Sequence, residues 1–232
     1  MSLFAGMSSW AYPEWRRSFY SPNEPSSHML ASYCQHFKSV EINNTYYRMP
    51  SASTLAGWSD QVPPAFQFAF KANRGITRTK EFASKAALAV RFCDLLGTTG
   101  SHLGPVLFQL ESRADVPQLA DFLAMLRPRL RRIVVEFRHK SWFTDAAFDV
   151  LRGSDVALCQ TETDSGCDPL VSARDFSYVR LRKSAYTRAE LDERIGQLEA
   201  LAGAGHDIFC YLKHDVENAV LLRELRPSAP GN

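Results

Sequence analysis

Val40-Glu41-Ile42-Asn43-Asn44-Thr45-Tyr46-Tyr47-Arg48-Met49-Pro50 begins as a strand and stops at a proline, with polar groups where an ordinary buried strand has none. In an extended chain successive side chains alternate faces, so Val40 and Ile42 point one way while Glu41 and Asn43 point the other. A carboxylate inside an apolar strand needs an explanation, because burying an unpaired charge is costly.

The same alternation recurs along the chain. Phe66, Phe68 and Phe70 share one face of a strand over 66–71, and Gln67, Ala69 and Lys71 share the other. Strands over 106–110, 133–138 and 178–182 place Gln109, Glu136 with Arg138, and Arg180 with Arg182 on the face opposite their apolar residues. Segments 3–9, 156–161 and 208–212 complete eight strand signals.

Between the strands lie helical periods. Ser26-Ser27 opens one that runs to Phe37, Ser51 opens a short one to Trp58, and a third covers 80–96 and ends near Gly97. Others cover 116–126 and 144–151. Thr187-Arg188-Ala189-Glu190 fits a capping box, and Asp215 caps a last helix to about Leu225. Residues 162–175 show no strong period at the place of the sixth helix, and 227–232 read as a frayed tail. Eight strands alternating with helices at intervals of about 25 to 35 residues describe an α/β fold, a (β/α)8 TIM-type barrel, as a single domain over 1–232. A doubly wound open sheet is the alternative arrangement.

The composition fits this reading. The 232 residues are 45% hydrophobic and 22% charged, with a net charge of +2, too small a bias for general attraction to nucleic acid or membranes. Five widely spaced cysteines form no CxxC pair and read as reduced thiols. No apolar run approaches the ~18 residues of a membrane span, and residues 1–10 lack a basic region followed by a long apolar run, so a cytoplasmic protein that does not span a membrane is expected. The sequon Asn43-Asn44-Thr45 is then coincidental.

In a barrel the outward residues pack on helices, and inward residues at the C-terminal strand ends face the mouth where active sites lie. The inward set reads Ser8, Glu41, Asn43, Lys71, Gln109, Glu136, Arg138, Arg180, Arg182, Tyr211 and Lys213. Cations outnumber carboxylates in it, which favours an anionic or phosphate-bearing small molecule or nucleotide. Glu41, Glu136 and Lys71 are the candidate catalytic groups, and Asn43, Gln109, Arg138, Arg180 and Arg182 the candidate substrate contacts. Trp10, Tyr46 and Trp142 follow strand ends, with Tyr12, Trp15 and Tyr47, and are placed to stack on a ring.

No glycine-rich phosphate loop, GxSxG elbow, HxH or HExxH occurs, and no cofactor or resident metal is expected. His139 and His214 lie just past strands five and eight, but His139 reads better as a hydrogen-bonding residue. Barrels that isomerise sugars or cleave phosphodiesters often use carboxylate and histidine ligands for a metal, in a spacing this sequence does not offer. A non-catalytic nucleic-acid-binding module and a purely structural polar barrel are the competing readings.

The run 40–50 also resembles the signature of the YecE-like proteins, the domain of unknown function 72 family. Ser9-Trp10 with Phe19-Tyr20, Phe70-Lys71-Ala72, Leu103-Gly104-Pro105 with Gln109-Leu110, Val135-Glu136-Phe137-Arg138-His139 with Ser141-Trp142, and Tyr178-Val179-Arg180-Leu181 are similar to its other motifs, in order and over nearly the whole chain. The resemblance implies a TIM-type barrel loosely related to the xylose-isomerase and endonuclease-IV-like barrels, with no established reaction. Its motif positions Glu41, Asn43, Lys71, Gln109, Glu136, Arg138 and Arg180 fall on the inward set. The chain departs from the pattern where Gly6-Met7-Ser8-Ser9-Trp10 lacks a second glycine, where Arg182-Lys183 replaces a His-Gly pair, where Arg78 stands near an expected His, and where Lys213-His214-Asp215 ends the eighth strand. These changes make the mouth more basic.

Overall fold

Strands whose outward face is Val, Ile, Phe and Leu can bury that face only under helices. A computed structural model, which describes residues 2–203, 205–213 and 215–225, has that arrangement. In chain order the elements are β1 (Leu3–Met7), α1 (Met29–Tyr33), β2 (Ser39–Ile42), α2 (Asn44–Tyr47), α3 (Ala52–Ser59), β3 (Gln67–Lys71), α4 (Arg74–Thr77), α5 (Ala86–Gly97) and β4 (Leu103–Leu110). They continue with α6 (Val116–Leu126), β5 (Ile133–Phe137), α7 (Asp145–Gly153), β6 (Ala157–Thr163), β7 (Gly166–Cys167), β8 (Phe176–Leu181), α8 (Arg188–Gly203), β9 (Asp207–Leu212) and α9 (Val216–Leu225).

Among the described residues eight parallel strands run in the order β1-β9-β8-β6-β5-β4-β3-β2, with β7 paired antiparallel to β6. The result is a nearly closed TIM-type barrel. Val40, Ile42, Phe68, Phe70, Phe108, Val135 and Val179 pack outward under the helices in the larger core. Ala69, Leu107, Val134, Cys159, Phe176, Tyr178, Phe209 and Tyr211 fill the barrel interior. The N-terminal end is plugged by Phe4 stacked on Phe209 at 4.7 Å, with the Arg132 guanidinium 5.1 Å from the Phe209 ring and 2.7 Å from Asp207.

The last junction, between β1 and β2, has no backbone ladder. Side chains stitch it instead. The Met7 N–H donates to the Tyr33 hydroxyl at 2.8 Å, and that hydroxyl donates to the Ser39 carbonyl at 3.0 Å. The Tyr211 hydroxyl reaches Ser39 Oγ at 2.5 Å from inside, and Asn43 Nδ2 donates to the Ser8 carbonyl at 3.2 Å at the mouth. Gly6 is required here, because a Cβ at that position would collide with the Ser39 carbonyl.

Several expectations are corrected. The sixth crossover contains no helix: β6 extends to Thr163 and turns back through β7, with Gly166 at φ +142°. The helix expected over 80–96 opens as a 3-10 turn (Phe82–Lys85), because α5 begins only at Ala86. Gly97 lies inside α5, and the left-handed residue beyond it is Gly100 at φ +60°. The helix opened at Ser26 is the short α1, preceded by His28 with no side-chain cap. Past β2 the chain makes one helical turn, α2, that alternation alone does not foretell. Ser9, where the resemblance implies glycine, adopts φ +156°, a backbone that glycine enters more easily. His214 and the tail 227–232 lie outside the described residues. No helix among the described residues is long and apolar enough to cross a membrane.

Candidate functional site

Strand parity sets the site. Each barrel strand sends an apolar or small residue into the interior and, two residues on, a polar one toward the C-terminal mouth: Ala69 then Lys71, Leu107 then Gln109, Val134 then Glu136, Tyr178 then Arg180. Register aligns them, with Gln109 opposite Glu136 and Arg180 opposite Tyr211.

Arg180 is the centre of the arrangement. Its Nη1 donates to Glu136 Oε2 at 2.9 Å and its Nη2 to Glu41 Oε1 at 2.9 Å, so one buried guanidinium joins β5 to β2 across the barrel. Burial acts against that charge, but Glu41 and Glu136 outweigh it and hold Arg180 protonated well above its ordinary range.

Glu41 is fully buried and receives four donors: Arg180, Arg182 Nη2 at 3.0 Å and Asn43 Nδ2 at 2.8 Å on Oε1, and the Tyr178 hydroxyl at 2.6 Å on Oε2. Burial pushes its pKa up, yet the two arginines and the hydrogen bonds prevail and bring it down to about 2. A carboxylate so engaged holds cations in place and is a poor base.

Glu136 differs. Gln109 Nε2 and Arg180 share its Oε2, while Oε1 stands 3.0 Å from Arg138 Nε as an ion pair whose alignment falls short of a hydrogen bond. One buried oxygen therefore keeps acceptor capacity, beside a cavity of about 490 Å³ that Glu136, Arg138, Thr161 and the β6–β7 hairpin line.

Lys71 ends β3 and is 9% exposed. Its Nζ lies 4.2 Å from the centroid of the Tyr46 ring, and among the described residues it has no hydrogen-bond or ion-pair partner. Burial first, then Arg180, lower its pKa to about 8, against the opposing pull of Glu136 and Glu41. Local structure fixes the ring: Thr45 Oγ1 donates to the Lys71 carbonyl at 2.6 Å, and the Tyr46 hydroxyl donates to Glu111 at 2.9 Å. A second cavity, of about 240 Å³, is lined by Ser8, Tyr12, Asn43, Tyr47, Lys71 and Arg182.

The structure thus brings together Glu41, Asn43, Lys71, Gln109, Glu136, Arg138, Arg180, Arg182 and Tyr46. It does not bring Trp10 or Trp142 to the mouth. Trp142 is fully buried, stacked on Phe137 at 5.0 Å, with its indole N–H on the Ser112 carbonyl; Trp10 packs edge-on against Trp58. Tyr47, 68% exposed, and the half-buried Tyr12 remain at the rim, whereas Trp15 is fully buried. Tyr211 lies deeper, on Ser39. His139 Nδ1 accepts from the Ser141 N–H at 3.1 Å and caps its turn. Tyr178 and Glu111 are absent from the sequence-derived set. Tyr178 shares the face of Arg180 and was visible by parity, but Glu111 follows a strand end and carries no periodic signal.

Fold and mouth together define a TIM-type α/β barrel with a charged, hydrogen-bonded site at the C-terminal ends of its strands. The family described as "Protein of unknown function DUF72" matches residues 4–226, and the chain belongs to that family. The UPF0759 protein YunF of Bacillus subtilis (strain 168) is 27% identical over 156 residues, 63% of this chain and 54% of YunF, so the match spans about half of that relative. A crystal structure of a DUF72 family protein from Enterococcus faecalis V583 has a TM-score of 0.75 at 16% identity, covering 99% of this chain and 97% of its own. One from Thermotoga maritima MSB8 has 0.72 at 20% identity, covering 97% of each chain. These likenesses show the fold.

Proposed function

We propose that the barrel mouth binds a phosphate-bearing or otherwise anionic small molecule or nucleotide. The observation that carries this reading is Lys71: Arg180 takes up both carboxylates, Arg182 and Arg138 add further cations, and the Lys71 amine lines the cavity with no ion-pair or hydrogen-bond partner among the described residues. An incoming anion between Lys71 and Arg182 supplies one. Asn43 then orients the ligand, and Glu136, with its spare oxygen, serves as the base in isomerase-like or phosphodiesterase-like chemistry. Five free cysteines suit a reducing, cytoplasmic setting.

Calorimetry with inorganic phosphate, pyrophosphate and a nucleoside monophosphate tests the reading. Lys71→Met and Arg182→Gln should each weaken binding by about tenfold or more, the worth of one charge-assisted hydrogen bond. Absence of binding by all three ligands at millimolar concentration and low salt would sink it.

A non-catalytic nucleic-acid module is the second reading, supported by exposed Tyr47 with Arg74 5.8 Å from its ring. It requires affinity for single strands that falls steeply with salt. With Trp10 and Trp142 buried, the stacking surfaces left to it are Tyr47 and the half-buried Tyr12.

A further inference from the structure

An anchor for an anion works best when it is always charged. Arginine meets that need at Arg138, Arg180 and Arg182, so the mouth already holds three permanent cations. Lys71 is a different device. It ends its strand on the inward face, its Nζ rests on the Tyr46 ring, and no carboxylate or hydrogen-bond acceptor among the described residues holds its proton. The groups that face it are Tyr46 from α2, Glu41 from β2, Glu136 and Arg138 from the β5 end, and Arg180 from β8. The carboxylates are themselves engaged by arginines. The amine lines the cavity of about 240 Å³ that Arg182 also lines.

From this placement we infer that Lys71 is a nucleophile that forms an imine with the carbonyl group of a compact anionic aldehyde or ketone, whose anionic group sits on Arg182. The inference rests on the anion-binding reading and names the substrate class of that site. With a pKa of about 8, about a fifth of the lysine is free base at pH 7.4, against about a thousandth for an ordinary lysine. Desolvation together with cationic neighbours is a recognised way of activating an amine for this reaction.

The chemistry balances without any further reactant. The neutral Nζ adds its lone pair to the carbonyl carbon, and the carbonyl oxygen takes up one proton as the nitrogen loses one, giving a carbinolamine. The hydroxyl then leaves as water, taking a proton, while the nitrogen lone pair forms the C=N bond. One water is released and nothing is oxidised or reduced. Solvent in the open mouth carries the protons, because the Tyr46 hydroxyl is committed to Glu111. The cations around Lys71 stabilise the oxygen as it gains negative charge during addition.

Reductive trapping tests this on the intact protein. The chain is incubated with glyceraldehyde 3-phosphate and sodium cyanoborohydride, and the modified lysines are located by peptide mass spectrometry. The expected result is a secondary amine on Lys71, saturable, suppressed by inorganic phosphate, and formed at least about tenfold faster than on other lysines or with unphosphorylated glyceraldehyde. Lys71→Arg, which keeps a positive charge at the end of β3 but carries no nucleophilic amine, should lose the label; a label of undiminished rate on another residue of that variant overturns the assignment. Phosphate binding with no preferential label on Lys71 overturns the imine and leaves the anion site standing. Indiscriminate labelling with no phosphate binding overturns both.

Discussion

Glu41 has no access to solvent, and its charge exists only because four donors surround it. Its pKa in the folded chain, about 2, lies below its ordinary 4.5, so the folded state holds the ionised form more tightly than the unfolded chain does. The stabilisation is complete above pH 4.5 and is lost as the pH falls through 2. Urea titrations across that range should show a fall of about 3 kcal/mol attributable to this group, and Glu41→Gln should flatten it while lowering stability at neutral pH by a similar amount. A parallel acid limb in the variant would contradict this. Lys71 behaves in the opposite sense. Its pKa drops from 10.5 to about 8 on folding, so below pH 8 the folded state bears the full cost of a buried ammonium, and stability rises between pH 8 and 10.5. Lys71→Met should therefore be more stable than the wild type at pH 7, by about 2 kcal/mol, with the advantage gone above pH 10.5. Thermal melts of the two proteins at pH 7 and 10.5 check it. A mouth residue whose removal stabilises the chain is kept for something other than folding.

At the scale of elements, the strands were legible because parity is strict: Phe66, Phe68 and Phe70 cannot exchange faces with Ala69 and Lys71 without crowding three rings into the filled barrel interior and turning a lysine under the helices. Parity alone places Glu41, Gln109, Glu136 and Arg180 inward. What escaped it were features set by local turns or tertiary contact. The β6–β7 hairpin depends on Gly166 and a two-residue ladder, too short for a period. The α2 turn is held by Thr45 Oγ1 on the Lys71 carbonyl, a contact 26 residues away in sequence. Trp10 and Trp142 looked like rim residues because they follow strand ends, but chain position says nothing about whether an indole turns out to solvent or back under a helix. Among helical residues, Tyr33 has a duty no helical pattern reveals, since its hydroxyl joins β1 to β2. Tyr33→Phe keeps the buried ring and leaves the Met7 N–H and the Ser39 carbonyl without it, at a cost of about 2 kcal/mol. Denaturant midpoints, with unchanged exchange at β4 and β5, should locate that loss at the β1–β2 junction.

For the whole molecule, one consequence follows from where that junction meets the mouth. A barrel with a ladder at every joint resists opening uniformly, whereas this one has a zipper of hydroxyls and one amide on a single side. The smaller cavity lies over its upper end: Ser8 comes from one side of the zipper, Asn43 and Tyr47 from the other, and Lys71 and Arg182 from the strands beyond. A ligand held there spans the break and acts as a clasp. Occupancy and closure are then linked equilibria, so an anion at a hundred times its Kd adds about 2.7 kcal/mol against opening of this edge. Hydrogen exchange at the Met7 amide should slow in the presence of phosphate, while β4 and β5 keep their rates; uniform slowing would mean that the ligand tightens the barrel as a whole. Leaving the last seam to side chains makes the rim at that edge responsive to what it holds.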